Sequence, residues 1–322
     1  MEKNTLFATE ADSEEAREKV LELTGMDIGL AKTSYGSRNV TFVFSESIKP
    51  SVIRISPAFI KPLKTVFSEL MFVDYLREHI HTVCNPVPFA NRLVNVINVG
   101  GEDYYVVVSR KANGISPAGD VFNDEKLFES YGKKLGQLHA ASKTSAAEGF
   151  KYMRPRWTDA PGFNFDMSSA SERIPDDIIQ KMIRIRDRVS ELPETADTFG
   201  MVHGDMSPIN SFLDWEDVWL FDFDDCCYHY FMYDICCFLM QASRSAAEAG
   251  AKFDPTAVFR GAYEHYNILP DECWTKDYMG RFYTLRIASG LWLLGQSRTE
   301  KGRADYDIYY PRLCDVIRGM EI

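Results

Sequence analysis

The sequence lacks several features that would by themselves assign it to a class of protein, such as membrane, secreted or nucleic-acid-binding proteins. Among its 322 residues there is no apolar run of about 18 residues that could cross a membrane, and the N-terminus lacks the basic and apolar stretches of a signal peptide. It also lacks a long Lys/Arg cluster, and 36 basic against 47 acidic side chains give a net charge of −11. We therefore expect a cytoplasmic protein that binds neither extended nucleic acid nor a membrane.

Cysteine is present, but not at the spacing of a disulfide framework or a zinc site. Four of the seven cysteines form two adjacent pairs, Cys226/Cys227 and Cys236/Cys237. Structural zinc sites usually space their paired cysteines two to four residues apart. We therefore interpret the cysteines as reduced and packed in a core.

The pattern of apolar residues divides the chain into two parts. The first part carries β-like segments, at 29–35, 40–44, 51–55, 91–99 and 104–109, and two helical ones, at 12–23 and from Pro62. The second part is almost entirely helical, at 124–141, 176–192, 256–266, 274–294 and 309–317. It is interrupted by loops at 143–174 and 244–255 and by one hairpin, 210–213 with 218–222. We predict an α+β fold with a small β-rich lobe, residues 1–110, and a larger helical lobe, residues 111–322.

Side chains suited to a magnesium ion lie around that hairpin. If the hairpin turns about Glu216, Asn210 and Asp222 lie opposite each other on the two strands. Asp205, on the loop that precedes the first strand, would add a second carboxylate. Mg²⁺ prefers oxygen ligands and completes its shell with water and substrate phosphates. The sequence therefore predicts an oxygen-rich site for Mg²⁺ at this hairpin.

This segment resembles the aminoglycoside phosphotransferase and choline kinase-like superfamily, the small-molecule relatives of protein kinases. Their phosphoryl-transfer template has a catalytic Asp five residues before a metal-binding Asn, and then a metal-binding Asp. Asp205, Asn210 and Asp222 match that order, and Gly204 after His203 is similar to the small-molecule branch. The resemblance implies a bilobal protein-kinase-like fold with ATP between the lobes. It also implies that Asp205 orients or deprotonates the acceptor hydroxyl, while Asn210 and Asp222 hold Mg²⁺.

The resemblance extends to the first part of the chain. Arg54 stands where the family has its nucleotide-binding strand residue, and Glu69 lies in the next helix, where its partner would be. Arginine replaces the usual lysine and offers a planar fork of donors in place of a point charge. The loop that contains Ser37 and Arg38 would cover the phosphates. The residue types also fit simpler structures, namely an exposed strand arginine, a solvated helix glutamate and a plain hairpin turn.

Several further residues have more than one interpretation. Asp234 matches the acidic residue that braces the catalytic loop in the family, with His203 as a second supporting residue, but it could also be the N-cap of a helix that starts near Ile235. Asp224 and Asp225 could approach the metal, attract a cationic substrate or belong to a solvated loop. The aromatic run at 228–233 could line an acceptor pocket or pack in the core.

Together these features predict transfer of the γ-phosphoryl group of ATP, with GTP as an alternative donor, to a hydroxyl of a small acceptor. Asp224 and Asp225 favour an amine-bearing acceptor such as an aminoglycoside, choline, ethanolamine or a homoserine-like amino acid. No long activation segment ending in Ala-Pro-Glu follows Asp222, which argues against an ordinary regulated protein kinase. A stress-type protein Ser/Thr kinase and a catalytically silent nucleotide-binding scaffold are the alternatives. The oligomeric state is not predicted.

Overall fold

A computed structural model describes residues 10–35, 39–44, 51–143, 153–165, 173–215, 217–296 and 300–320. Its N-terminal lobe is a five-stranded antiparallel sheet with two helices. The strands are β1 (Lys32–Tyr35), β2 (Val40–Phe44), β3 (Ser51–Pro57), β4 (Asn95–Val99) and β5 (Glu102–Arg110), in the order β1-β2-β3-β5-β4. The helices are α1 (Glu10–Thr24) and α2 (Leu63–His79).

The two helices cover opposite faces of this sheet, and that arrangement decides where Arg54 points. Ile53 and Ile55 are fully buried in the core that also contains residues of α1. Side chains alternate along a strand, so Arg54 lies on the other face, where it pairs across the ladder with Val107. Val107 packs with residues of α2. Arg54 is therefore held between the sheet and the helix that carries Glu69.

Within the described residues, the C-terminal lobe contains two short antiparallel sheets of two strands each among its helices. The helices are α3 (Glu125–Ser142), α4 (Asp176–Ser190), α5 (Phe231–Glu248), α6 (Pro255–Tyr263), α7 (Lys276–Gln296) and α8 (Glu300–Gly319). One sheet pairs β6 (Phe199–Val202) with β9 (Cys227–Tyr230), and the other is the hairpin of β7 (Ser211–Asp214) and β8 (Asp217–Leu220). None of the helices in the described ranges combines the length and apolar content needed to cross a bilayer.

The cysteines belong to the interior of the fold. All seven are buried, and none forms a disulfide. Burial raises the pKa of each thiol above its ordinary value. They therefore pack as neutral thiols.

Two helices differ from the prediction. α5 runs to Glu248, so the start of the segment 244–255 is helical rather than a loop, and α8 begins at Glu300, well before the predicted start at 309. Every residue from Phe231 to Leu239 is buried. A helix that is buried all round shows no alternation of polar and apolar faces, and for this reason the sequence placed the start of α5 near Ile235 rather than at Phe231.

Candidate active site

The β7–β8 hairpin brings Asn210 and Asp222 to the same end of the ribbon, one register step away from the prediction. Ser211 pairs with Leu220 and Asp214 with Asp217. The backbone N–H of Phe221 accordingly donates to the Asn210 carbonyl at 3.3 Å. The predicted direct pairing of Asn210 with Asp222 is therefore wrong, because the observed register centres the hairpin between residues 215 and 216 rather than on Glu216. Asp222 follows the strand with φ +65°, a left-handed conformation that turns the chain away from the ribbon.

Asp205 and Asn210 contact each other directly. The Asn210 Nδ2 donates to Asp205 Oδ2 at 2.9 Å and to the Asp205 carbonyl at 2.8 Å. These bonds use the amide nitrogen, so the amide oxygen of Asn210 is the atom that can face a cation. The five-residue spacing thus produces a carboxylate and an amide oxygen side by side at the loop between β6 and β7.

Asp234 supports the backbone of the loop that carries Asp205. Its buried carboxylate accepts the backbone N–H of His203 at 2.7 Å and that of Gly204 at 2.9 Å. His139 on α3 adds a contact from Nε2 at 3.3 Å, and its Nδ1 lies 2.8 Å from the Tyr263 hydroxyl. Burial is the largest influence on His139 and lowers its pKa, although Asp234 opposes this. Asp234 lies inside α5, whose N-cap is Tyr230, so the N-cap interpretation is wrong.

His203 and Gly204 connect this loop to the segment that contains Asp222. The His203 ring contacts the Phe221 carbonyl through Nε2 at 2.9 Å, and its Nδ1 accepts the Asp205 N–H at 3.4 Å. Gly204 has φ +85°, and a Cβ built there would lie 2.1 Å from the Asp225 carbonyl oxygen. Only glycine allows the two loops to approach this closely. The loop of Asp205 is therefore fixed against the loop of Asp222.

The N-terminal lobe contributes an arginine and a glutamate. Arg54 donates to Glu69 with both terminal nitrogens, Nη1 to Oε1 at 2.8 Å and Nη2 to Oε2 at 2.9 Å. Both side chains are largely buried, and Arg54 Nη1 lies 3.7 Å from Asp224 Oδ1. The bidentate geometry is the one that a planar guanidinium offers and an ammonium cannot. The pair thus touches the segment that follows Asp222.

Asp224 is surrounded by donors from the N-terminal lobe. Lys61 Nζ lies 2.8 Å from Asp224 Oδ1 and donates to the Asp224 carbonyl at 2.7 Å, and Asn39 Nδ2 donates to Oδ2 at 3.2 Å. The side chain of Asp224 is 8% exposed, whereas that of Asp225 is 28% exposed and lies 4.0 Å from Lys61. Asp224 therefore faces the N-terminal lobe. Ser37 and Arg38 lie outside the described residues.

Three basic residues at this site were not predicted from the sequence: Lys61, Arg154 and Arg286. Arg154 is buried and donates to the backbone carbonyls of Thr65 at 2.9 Å, Asp224 at 3.1 Å and Cys226 at 2.6 Å, which ties α2 to the loop after Asp222. Arg286 on α7 donates to Asp205 Oδ1. No local motif marks them, since each contacts residues far away in the chain. Only the excess of acidic residues in the segment 222–225 indicates that cations are needed nearby.

The charges around Asp222 favour a bound cation. Asp222 is exposed to water. The protein around it nevertheless desolvates the carboxyl, which is the main cause that raises its pKa to about 6, and the charge of Asp224 adds to this while Arg54 opposes it. No group of three or more His, Cys, Asp or Glu residues suited to a metal exists in the described part of the chain. A magnesium ion in phosphoryl transfer needs only one or two protein ligands beside phosphates and water, which Asn210 and Asp222 can supply.

Comparison with known proteins identifies the family. The model of the phosphotransferase enzyme family matches residues 34–271, which is most of the chain. The chain belongs to this family. The resemblance inferred from the His203–Asp222 segment is thereby confirmed, and the matched region contains Arg54 and Glu69 as well.

A curated relative and several solved structures are similar to the chain. The amicoumacin kinase of Bacillus subtilis (strain 168) is 23% identical over 204 residues, which are 62% of this chain and 59% of that protein, so the match spans less than two thirds of the relative's length. An amicoumacin kinase in complex with AMP-PNP, Ca²⁺ and Ami superposes with a TM-score of 0.76 at 20% identity over 95% of this chain and 94% of the other. A microcompartment-associated aminopropanol kinase superposes with a TM-score of 0.68 at 18% identity, over 95% of this chain and 96% of the other. These likenesses confirm the bilobal kinase-like α+β fold.

Proposed function

We propose that this phosphotransferase-family chain is an ATP- and Mg²⁺-dependent kinase that phosphorylates a hydroxyl group of a small molecule. The observation that carries the proposal is a chain of contacts. Asn210 bonds Asp205 at 2.9 Å and pairs through its backbone with the residue before Asp222, and Asp224 links that loop to the Arg54–Glu69 pair. This arrangement supports the roles that the resemblance implies for each residue.

In this mechanism, Asp205 accepts a hydrogen bond from the acceptor hydroxyl and takes its proton as the oxygen attacks the γ-phosphorus. The bond between the γ-phosphorus and the bridging oxygen breaks, and ADP leaves. Arg54 has N–H groups beyond those that bind Glu69, and we expect them to contact the nucleotide phosphates, with Lys61 beside them. Asn210 and Asp222 would hold magnesium, which neutralises phosphate charge when bound. Positioning and electrostatic stabilisation supply most of the acceleration.

For the acceptor, we propose a compound that bears both a hydroxyl and an amine. The similar solved structures include an aminopropanol kinase, a spectinomycin phosphotransferase and a choline kinase. Of the two acids first considered for binding an amine, Asp225 is the more exposed, while Asp224 contacts Lys61 and Asn39. We therefore assign Asp224 to the nucleotide side of the site and Asp225 to the side open to a cationic acceptor.

The proposal is tested by Mg²⁺-dependent ADP release with ATP or GTP over a panel of aminoglycosides, aminopropanol, choline, ethanolamine, homoserine, sugars and a generic protein substrate. Asp205→Asn is expected to lower acceptor-stimulated kcat by about 10²- to 10⁴-fold, the range of general-base catalysis, with nucleotide affinity unchanged. Asp187→Asn, the same substitution at an exposed residue of α4, is the matched control. Activity that survives Asp205→Asn would contradict the assignment, and transfer to protein alone would favour the protein-kinase alternative.

A further inference from the structure

Arg286 is the cation that contacts the catalytic-base candidate. It lies near the middle of α7, and its Nη2 donates to Asp205 Oδ1. Its Nη1 lies 3.5 Å from the Tyr233 hydroxyl, on α5. Within the described ranges no other basic side chain comes within ion-pair distance of Asp205. A helix in the C-terminal lobe therefore delivers a permanent positive charge to the residue that is expected to receive the acceptor hydroxyl.

The two oxygens of Asp205 are held by two different residues. Asn210 Nδ2 donates to Oδ2 at 2.9 Å, and Arg286 donates to Oδ1. An aspartate side chain turns about two bonds, and one contact at each oxygen restrains both rotations. Each oxygen keeps a second lone pair for an incoming hydroxyl. The contact with Arg286 is thus compatible with the proposed function and orients the carboxylate before the acceptor arrives.

The distribution of charge in the site distinguishes Arg286 from the other basic residues. Asp205, Asp222, Asp224 and Asp225 lie on two loops that contact each other, and the γ-phosphoryl group would add further negative charge. The basic residues of the N-terminal lobe are near Asp224: Arg54 at 3.7 Å and Lys61 at 2.8 Å. Arg286 instead approaches from the C-terminal lobe, at the end of the site where the hydroxyl would bind. It balances the charge of Asp205 on that side.

On these observations, and resting on the proposed function, we propose that Arg286 is a positioning residue for phosphoryl transfer, which orients the Asp205 carboxylate toward the acceptor hydroxyl. The Tyr233 hydroxyl restrains the guanidinium from its other side. The role requires a charged donor that reaches Asp205 from α7. A lysine at position 286 retains that charge and an N–H donor, whereas methionine retains only the length of the side chain.

The experiment compares steady-state kinetics of the full-length chain with the best acceptor found in the panel. Arg286→Met is expected to lower kcat by about 10- to 100-fold, the effect of losing one charge-assisted hydrogen bond at the reacting centre, with the KM for the nucleotide within about twofold of wild type. Arg286→Lys is expected to stay within about fivefold of wild type. In Arg286→Ala, added guanidinium ion at low millimolar concentration is expected to restore part of kcat.

Arg281 provides a matched control on the same helix. It pairs with the exposed Asp277 at 2.9 Å, and its side chain is 26% exposed against 23% for Arg286. Arg281→Met is expected to leave kcat unchanged. If Arg286 had a purely structural role, its substitution would lower the melting temperature and the fraction of active sites. The value of kcat per active site would then stay the same, and added guanidinium would not change it.

Each outcome either supports or overturns the positioning role of Arg286. If wild type is active and Arg286→Met equals it in kcat per active site, this inference is overturned while the proposed function stands. Equal losses in Arg286→Met and Arg281→Met would overturn it as well, since the effect would then belong to the helix. A folded wild type that binds Mg-ATP and transfers phosphate to no acceptor overturns the proposed function, and this inference with it.

Discussion

Removal of the Asp234 carboxylate should destabilise the protein and disable the loop of Asp205 together. Asp234 is fully buried and accepts three hydrogen bonds, from the backbone of His203 at 2.7 Å, the backbone of Gly204 at 2.9 Å and His139 Nε2 at 3.3 Å. In Asp234→Ala these donors lose their acceptor at a position that is fully buried. A buried donor without a partner costs about 1–3 kcal/mol, and breaking a buried charged network costs about 3–5 kcal/mol.

We therefore expect Asp234→Ala to lower the free energy of unfolding by about 3–5 kcal/mol, a large part of the roughly 5–15 kcal/mol of an ordinary domain. Asp234→Asn keeps one acceptor oxygen but turns an NH₂ toward a backbone N–H, so we expect a loss of about 1–3 kcal/mol and a lower kcat in the molecules that remain folded. Urea denaturation followed by circular dichroism measures both variants. Asp197→Ala, at an exposed carboxylate that pairs with Lys143, is the control.

A loss of less than about 1 kcal/mol in Asp234→Ala would refute this reasoning. It would mean that the backbone of His203 and Gly204 finds other acceptors once the carboxylate is gone. Normal stability with lost activity in Asp234→Asn would limit the role of Asp234 to catalysis.

Three further predictions concern separate parts of the protein. Gly204→Ala should destabilise the chain by at least about 2 kcal/mol in urea denaturation, because its Cβ would lie 2.1 Å from the Asp225 carbonyl at a positive φ, whereas Gly261→Ala, in open space on α6, should be neutral or stabilising. Lys61→Met should raise the KM for the nucleotide about tenfold with little change in that for the acceptor, and Lys64→Met, at an exposed position, should change neither. The pKa of the buried His229 is well below its ordinary value because of desolvation, so the unfolded chain takes up a proton below about pH 6.5 that the folded chain refuses. Stability should fall on acidification from there by up to about 1.4 kcal/mol per pH unit for this group, and His229→Phe should reduce that slope; an unchanged slope would contradict the assignment.

Local sequence order was enough to bring the residues at the centre of the candidate site together. Asp205, Asn210 and Asp222 lie within one loop and one hairpin, so their separation is limited by the short chain between them. The same holds for the fold class, since the change from β-like to helical periodicity can be seen along the chain. The precise register was less accessible, because Asn210 faces Phe221 only once the two-residue turn has formed.

The chain also determined, through the alternation of side chains on β3, that Arg54 would lie on the face opposite Ile53 and Ile55. That this face is covered by α2, and that Glu69 there meets both guanidinium nitrogens, was decided by the packing of the helix on the sheet. The same applies to Lys61 beside Asp224 and to Arg286 beside Asp205, whose partners lie 163 and 81 residues away in the sequence. Such contacts depend on how the lobes and helices pack, and neither residue type nor spacing specifies them. The sequence alone therefore determined which groups are proposed to perform the chemistry, and only the tertiary structure decided which cations lie beside them.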